Sequence, residues 1–421
     1  MAPNPLPTRK QILGNFASLV SGMGLARLMT ALALILVARQ VGPSSYGQYL
    51  ACLSLAKLTS VAFSWGLDGW LLWRGGSATN HRTIAVQSGV ALAWKLMLGC
   101  VWFLGLYAAS HWLNPETFPP AVLLTTALIV WTDDLTNTVW SVFKSTLQND
   151  VTFKIITSVQ FVLVLVTVAL MLAHAQSLIT FLWARLIVSA LGCLFAVYIL
   201  RRNIGIGLDA ASMWPIFRAA TPFAISLVLA LIYERADITL VAQFLGAKEA
   251  GIYGPASTIV TTLFLVPAAA YAVMVPVFTR AHALGGTDFL RTLRLFVLVN
   301  AALGLCFTVG LALSSNLIIH VVYGERFAAA GPILAILSLV LGIRCVTFAL
   351  GAAVVGTGRQ TQRLYVQVLA AALSVFIDLA IVRLWGIQGV AWVYVFTELV
   401  VLVGYWMVLG SPRPRLFART A

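Results

Sequence analysis

The sequence predicts an all-α integral membrane protein, with twelve transmembrane helices in two parallel six-helix lobes around a central cavity. Three observations predict it. The chain is 61% hydrophobic and only 10% charged, where soluble domains carry about a quarter charged residues. Apolar runs of roughly 20 residues, the length that crosses a bilayer core, recur along all 421 residues. The Lys and Arg residues outside those runs gather on alternate connecting segments, as they do in a multi-pass chain.

The twelve runs cover 11–38, 46–70, 84–111, 119–142, 155–173, 177–200, 219–245, 250–279, 295–314, 328–355, 364–382 and 387–410. The first follows the short basic segment "MAPNPLPTRK" and continues to Ala38. That is too long for a signal-peptide core of about 7–15 residues, so it reads as a retained helix. The eighth contains Pro255, Pro267 and Pro276 and is expected to kink. With the N-terminus placed inside, seventeen Lys and Arg residues fall on inward segments, among them Arg74, Arg82, Arg201, Arg202, Arg359 and Arg363. Only Arg39, Lys248, Arg326 and Arg383 fall outward. This split puts both termini inside, on the cytoplasmic side. The longest outward loop spans about 13 residues near Ser315 to Phe327, and no soluble domain is expected on either face.

The net charge of +14 would suggest nucleic acid in a soluble protein. Here it reports orientation, and no nucleic-acid partner is expected. Cys52, Cys100, Cys193, Cys306 and Cys345 all lie in apolar runs without metal or redox spacing, and read as buried packing.

An internal repeat underlies the two lobes. "VARQVGPSSYGQY" from Val37 and "VAQFLGAKEAGIY" from Val241 match at a constant offset of 204. Val37, Ala38, Gly42, Gly47 and Tyr49 correspond to Val241, Ala242, Gly246, Gly251 and Tyr253. Both copies join the first two helices of a six-helix block, giving lobes at 1–205 and 206–421. Each lobe starts on the same side, so the repeat is parallel, and a cargo site is expected between the lobes near the midplane.

The G-x4-G-x-Y turns at Gly42 and Gly246, "YGERFAAAGPILAIL" leading into the tenth helix, and "GIQGVAWVYVFTEL" opening the twelfth carry a family likeness. Together they resemble the polysaccharide-exporter branch of the multidrug/oligosaccharidyl-lipid/polysaccharide superfamily. The resemblance implies a flippase that moves undecaprenyl-pyrophosphate-linked oligosaccharide by alternating access, for O-antigen, capsule or exopolysaccharide. It implies no cofactor, with proton or sodium coupling open. The implied partners are the lipid-linked cargo, membrane lipids, and a glycan polymerase with its assembly machinery.

Charges inside the apolar runs are the candidate site. Arg27, Lys57, Lys95, Arg185, Arg235 and Arg344 are the basic ones, joined by Asp68, Asp133, Asp134, Glu234, Asp237, Asp378 and Glu398. An Arg or Lys at a helix centre costs roughly 2.5–3.5 kcal/mol on insertion scales, so each needs a partner or a wet cavity. Guanidinium groups suit phosphate oxygens. Arg27 and Arg235, each midway along the first helix of its lobe, are therefore the leading pyrophosphate ligands, followed by Arg344 and Lys57. The competing reading pairs each cation with a carboxylate purely to hold helices together. Glu234, Asp237, Asp133 and Asp134 are candidates for coupling or gating. Successive helical residues turn about 100°, so Arg235 and Asp237 point roughly 160° apart. Asp237 must then look to another helix or to water for compensation, with Arg27 and Arg344 as candidate partners. Lys95, beside Trp94, is open to a cation–aromatic contact.

Two other functions compete. A drug exporter of the same superfamily wants acidic groups in its cavity, whereas the first run carries Arg27 and no Asp or Glu. A membrane polymerase or ligase wants catalytic groups on a large outward loop, and only His111 and Glu116 stand near one.

Overall fold

The computed structural model describes residues 9–75, 81–146, 148–284 and 287–410; the side chains of residues 9–23, 75, 81, 229, 230, 233, 234, 276, 283, 284, 287 and 288, Glu234 among them, fall outside that description. Among the described residues the chain is helical throughout, with no strand. In order the helices are α1 (Arg9–Thr59), α2 (Val61–Ser64), α3 (Leu67–Gly75), α4 (His81–Ser110), α5 (Pro120–Ser145), α6 (Asn149–Leu172) and α7 (Leu178–Asn203). They continue with α8 (Ala210–Leu245), α9 (Ala247–Leu263), α10 (Leu265–Leu284), α11 (Thr287–Tyr323), α12 (Ala330–Gly356) and α13 (Gln360–Gly410).

Eight stretches of helix are long and apolar enough to cross a membrane. Two of them, Gly24–Ser64 and Gln360–Gly410, run to 41 and 51 residues. At 1.5 Å per residue each is about twice the length one crossing needs. Each is broken at a single glycine with non-helical angles, Gly42 (φ 80) in α1 and Gly386 (φ 59) in α13. Both breaks fall where the sequence separates two spans. α5 and α8, which carry Asp133, Asp134, Arg235 and Asp237 at mid-helix, stand outside the eight.

Other breaks follow local chemistry. The eighth expected span divides into α9 and α10 at Phe264. Pro267 has no N–H to offer Leu263, four residues back, and its ring crowds that carbonyl. The second span, expected to be continuous, breaks at Trp65 (φ 43) and Gly66 (φ 66). A Cβ on Gly66 would lie 2.3 Å from the Ala224 amide, so the bend lets α8 approach closely. The outward loop near 315–327 is shorter than expected. The run "NLIIHVVY" continues α11 to Tyr323, leaving only Gly324 to Ala329, with one 3-10 turn, before α12. α8 opens on Asp209, whose side chain accepts from the Ala211 amide. The Ser212 hydroxyl, and after it that amide, hold the Asp209 carboxyl below the usual carboxylate range.

Two compact units are present. The first takes Met1–Pro255 and Val322–Phe327, the second Ala256–Val321 and Ala328–Ala421. The first unit therefore runs past residue 205, where the repeat divides, because α8 packs on α1, α3 and α4. Within it, α1 lies against α5, α6 and α8, and α5 against α3, α4 and α7. Within the second unit α12 packs on α10 and α13. There α11 and α12 cross at small residues: a Cβ on Gly304 would meet the Gly342 carbonyl at 2.5 Å, and Thr308 Oγ1 donates to the Ser338 carbonyl at 3.1 Å. Small residues and hydroxyl bonds of this kind join helices where lipid removes the usual hydrophobic drive.

Cys52, Cys193 and Cys345 are buried as expected, but Cys100 and Cys306 are exposed. They share the outer faces of their helices with Leu96, Met97, Val101 and Leu305, apolar side chains suited to lipid.

The repeat has a structural counterpart. Gly42 and Gly246 adopt the same conformation (φ 80, ψ 174 and φ 93, ψ 175). Gly47 and Gly251 then pack reciprocally: a Cβ on Gly47 would lie 1.7 Å from the Ala247 carbonyl oxygen, and one on Gly251 would lie 1.9 Å from that of Pro43. Ala38 and Ala242 are both fully buried, as is Tyr253, and Tyr49 is 1% exposed.

Candidate functional site

In the first unit the charges of α1, α3, α4, α5, α7 and α8 assemble into connected groups. Lys95, fully buried on α4, binds Asp68 Oδ1 of α3 at 2.7 Å and Asp134 Oδ2 of α5 at 2.6 Å. Thr138 Oγ1 donates to Asp68 at 2.9 Å and Ser64 Oγ to Asp134 at 3.3 Å. One cation thus holds two carboxylates. The cation–aromatic contact open to Lys95 is not what forms; Trp94 instead packs against Phe217 and donates to the Met213 carbonyl. Two nearby carboxylates offer a buried ammonium far more than an indole face does.

Asp133, one residue along α5, turns about 100° away. It meets Arg185 of α7 at 3.5 Å, and Arg185 also donates to the hydroxyl of Tyr49 on α1. Neighbouring aspartates therefore serve two different pairs.

Asp237 on α8 accepts from Tyr253 of α9 at 2.8 Å and from the Ile238 amide at 2.7 Å. Its side-chain donor lies on another helix. It is a neutral phenol, however, and neither Arg27 nor Arg344. Tyr49 and Tyr253, equivalent in the repeat, thus engage a guanidinium and a carboxylate respectively.

Lys57 of α1 and Arg235 of α8 complete the group. Asp133, Asp134, Arg235 and Arg185 are the charges that face Lys57. Among the described residues, neither Lys57 nor Arg235 has a carboxylate within ion-pair distance. The helices carrying them are stitched together there: Ser54 Oγ donates to the Arg235 carbonyl at 2.9 Å, and Thr239 Oγ1 donates to Ser54 Oγ at 2.8 Å.

The remaining expected residues lie elsewhere. Arg27 is exposed on α1 and is not among the charges facing Lys57. Arg344, in the second unit, pairs with the fully buried Glu398 and sits 4.6 Å over the Phe264 ring. Such a pair is what the competing reading describes for a buried cation. Glu234 lies outside the described side chains. The Asp68–Lys95–Asp134 group was missed as a unit. Its only trace in the sequence is three charges in three separate apolar runs.

The comparisons with known proteins agree with this architecture. A family described as polysaccharide biosynthesis proteins matches residues 36–332. The teichuronic acid biosynthesis protein TuaB of Bacillus subtilis (strain 168) is 31% identical over 180 residues, covering 41% of this chain. The chain spans about 36% of the length of that curated relative. Among solved structures, the lipid II flippase MurJ in an inward closed conformation superposes with a TM-score of 0.78 at 13% identity, covering 93% of this chain and 87% of that one. An inward-facing multidrug resistance MATE transporter of the MOP superfamily gives 0.70 at 14% identity, covering 91% and 94%. At such identities the likeness speaks for the fold alone. With its all-helical, multi-pass architecture and a family match over more than half its length, the chain belongs to the polysaccharide biosynthesis protein family and has the fold of the MOP-superfamily transporters.

Proposed function

We propose that this protein is a flippase, not an enzyme, that moves undecaprenyl-pyrophosphate-linked oligosaccharide across the bacterial inner membrane by alternating access. It crosses the membrane twelve times, with lobes at 1–205 and 206–421 and both termini in the cytoplasm. Its product feeds O-antigen, capsule or exopolysaccharide assembly, where a polymerase takes it up. Family membership supports polysaccharide biosynthesis as the setting.

One observation carries the cargo assignment. Lys57 and Arg235 lie within electrostatic reach of each other, and among the described residues neither has a carboxylate within ion-pair distance, Asp133 and Asp134 acting on Lys57 only from further off. Two cations in a low-dielectric region repel unless an anion comes between them. A pyrophosphate supplies that anion, with oxygens for the guanidinium fork. Arg27, exposed on the same helix as Lys57, is a further contact along the path. Of the acids, Asp133 and Asp134 are committed to Arg185 and Lys95, whereas the described partners of Asp237 are neutral donors. Asp237 is therefore the candidate for a coupling proton or sodium ion.

The test is chromosomal Arg235→Ala and Lys57→Ala at native expression. Surface glycan should be lost, with lipid-linked oligosaccharide accumulating on the cytoplasmic leaflet and the protein still in the membrane. Arg27→Ala should lose less. Normal glycan in both main variants would overturn the pyrophosphate clamp. Normal glycan with new drug sensitivity in a deletion strain would favour the drug exporter.

A further inference from the structure

Away from the charge cluster, a cavity of about 680 Å³ opens between α3, α4 and the first turns of α8. Its lining includes Arg74, Arg82, Trp70, Trp73, Gln87 and Ser212, and no carboxylate. Gln87 is only 9% exposed, and its Oε1 has no hydrogen-bond partner. A buried acceptor left unsatisfied is destabilising, so this position calls for a donor. Trp73 and Leu72 at the end of α3, and Trp214 on α8, are exposed beside the cavity. Indoles of this kind mark the level where membrane meets water.

We propose that this cavity binds the headgroup of an anionic phospholipid that carries a free hydroxyl, as phosphatidylglycerol does. Arg74 and Arg82 receive the phosphodiester, and the headgroup hydroxyl donates to Gln87 Oε1. The exposed Trp73, Leu72 and Trp214 lie along the acyl chains. Basic pockets between transmembrane helices hold anionic headgroups in this way. The site differs from the cargo cations in place and in ligand, and it does not depend on what the protein transports.

Native mass spectrometry of the full-length protein in detergent, with added phosphatidylglycerol, phosphatidic acid or phosphatidylcholine, tests this. The wild type should retain phosphatidylglycerol at least about tenfold over phosphatidylcholine, whose choline cation the two arginines repel and which offers Gln87 no hydroxyl. Arg74→Gln with Arg82→Gln should abolish that preference, and the double Lys variant should restore part of it. Arg218→Gln, which removes an exposed charge outside the lining, should leave it intact. Gln87→Leu should weaken phosphatidylglycerol severalfold while sparing phosphatidic acid, which lacks the hydroxyl. Equal retention of phosphatidylglycerol and phosphatidylcholine, or an undiminished preference in the Gln pair, would overturn the proposal. Displacement of the lipid by equimolar glycerol 3-phosphate or inorganic phosphate would also overturn it, by assigning the cavity to a soluble phosphate compound.

Discussion

Replacing Gly47 by alanine tests the paired-glycine crossing of α1 and α9. The added Cβ would lie 1.7 Å from the Ala247 carbonyl oxygen and 2.7 Å from the Gly251 amide nitrogen. A carbon–oxygen contact ordinarily rests near 3.3 Å, so the backbones must separate by about 1.6 Å. Nothing flexible can absorb this, because both obstructing atoms belong to the main chain. The displaced segment carries Tyr46 and Tyr49 on one side and Tyr253 on the other, all at most 1% exposed. A gap of even 0.5–1 Å forfeits about a quarter to a half of each such contact. Overpacking typically costs about 1–3 kcal/mol, and the rigid surroundings place this site at about 3 kcal/mol. Under the proposed alternating-access cycle, only the state that closes the crossing bears this cost. At 1.4 kcal/mol per tenfold, the population ratio should move by roughly a hundredfold toward the open state. Nitroxide labels on the exposed positions Ser44 and Lys248, in a background freed of the native cysteines, report the separation by pulsed electron resonance. The unmodified crossing should give one short, narrow distance, and Gly47→Ala a longer or second population. Gly251→Ala should act alike, and the double variant should fall short of additivity because the two glycines share one contact. Coincident distance distributions for Gly47→Ala and the parent, in monodisperse protein, would refute the argument.

Two further predictions concern the buried charges. Lys95→Met should destabilise the first unit by about 3–5 kcal/mol, the cost of removing one partner from a buried ion group, here leaving Asp68 and Asp134 as adjacent carboxylates. Detergent-denaturation midpoints measure this, and adding Asp68→Asn with Asp134→Asn should recover most of the loss; no recovery would mean the cost lies in packing. Asp237→Asn keeps an acceptor for Tyr253 while removing the titratable group. Transport in reconstituted vesicles should then lose its dependence on a proton or sodium gradient, and an unchanged dependence would exclude Asp237 from coupling.

The sequence by itself determined the solvent and the general architecture. Mean hydropathy of +0.95 and apolar runs of bilayer length leave helices as the economical way to satisfy the backbone in lipid. It also located the repeat turns, because only glycine readily takes the φ near +80° to +93° found at Gly42 and Gly246. The 100° helical turn alone separates Asp237 from Arg235. Tertiary structure alone decided the pairings. Asp68, Lys95 and Asp134 sit on three helices, the lysine lying 27 and 39 positions along the chain from its partners. No periodicity within one helix encodes which neighbour each face meets. For the same reason Arg344 and Lys57 were equal candidates in sequence, yet one pairs with Glu398 while the other, among the described residues, has no carboxylate within ion-pair distance. Inside a membrane every charge must find compensation; the chain's composition dictates that need, and the packing of one helix on another chooses the partner.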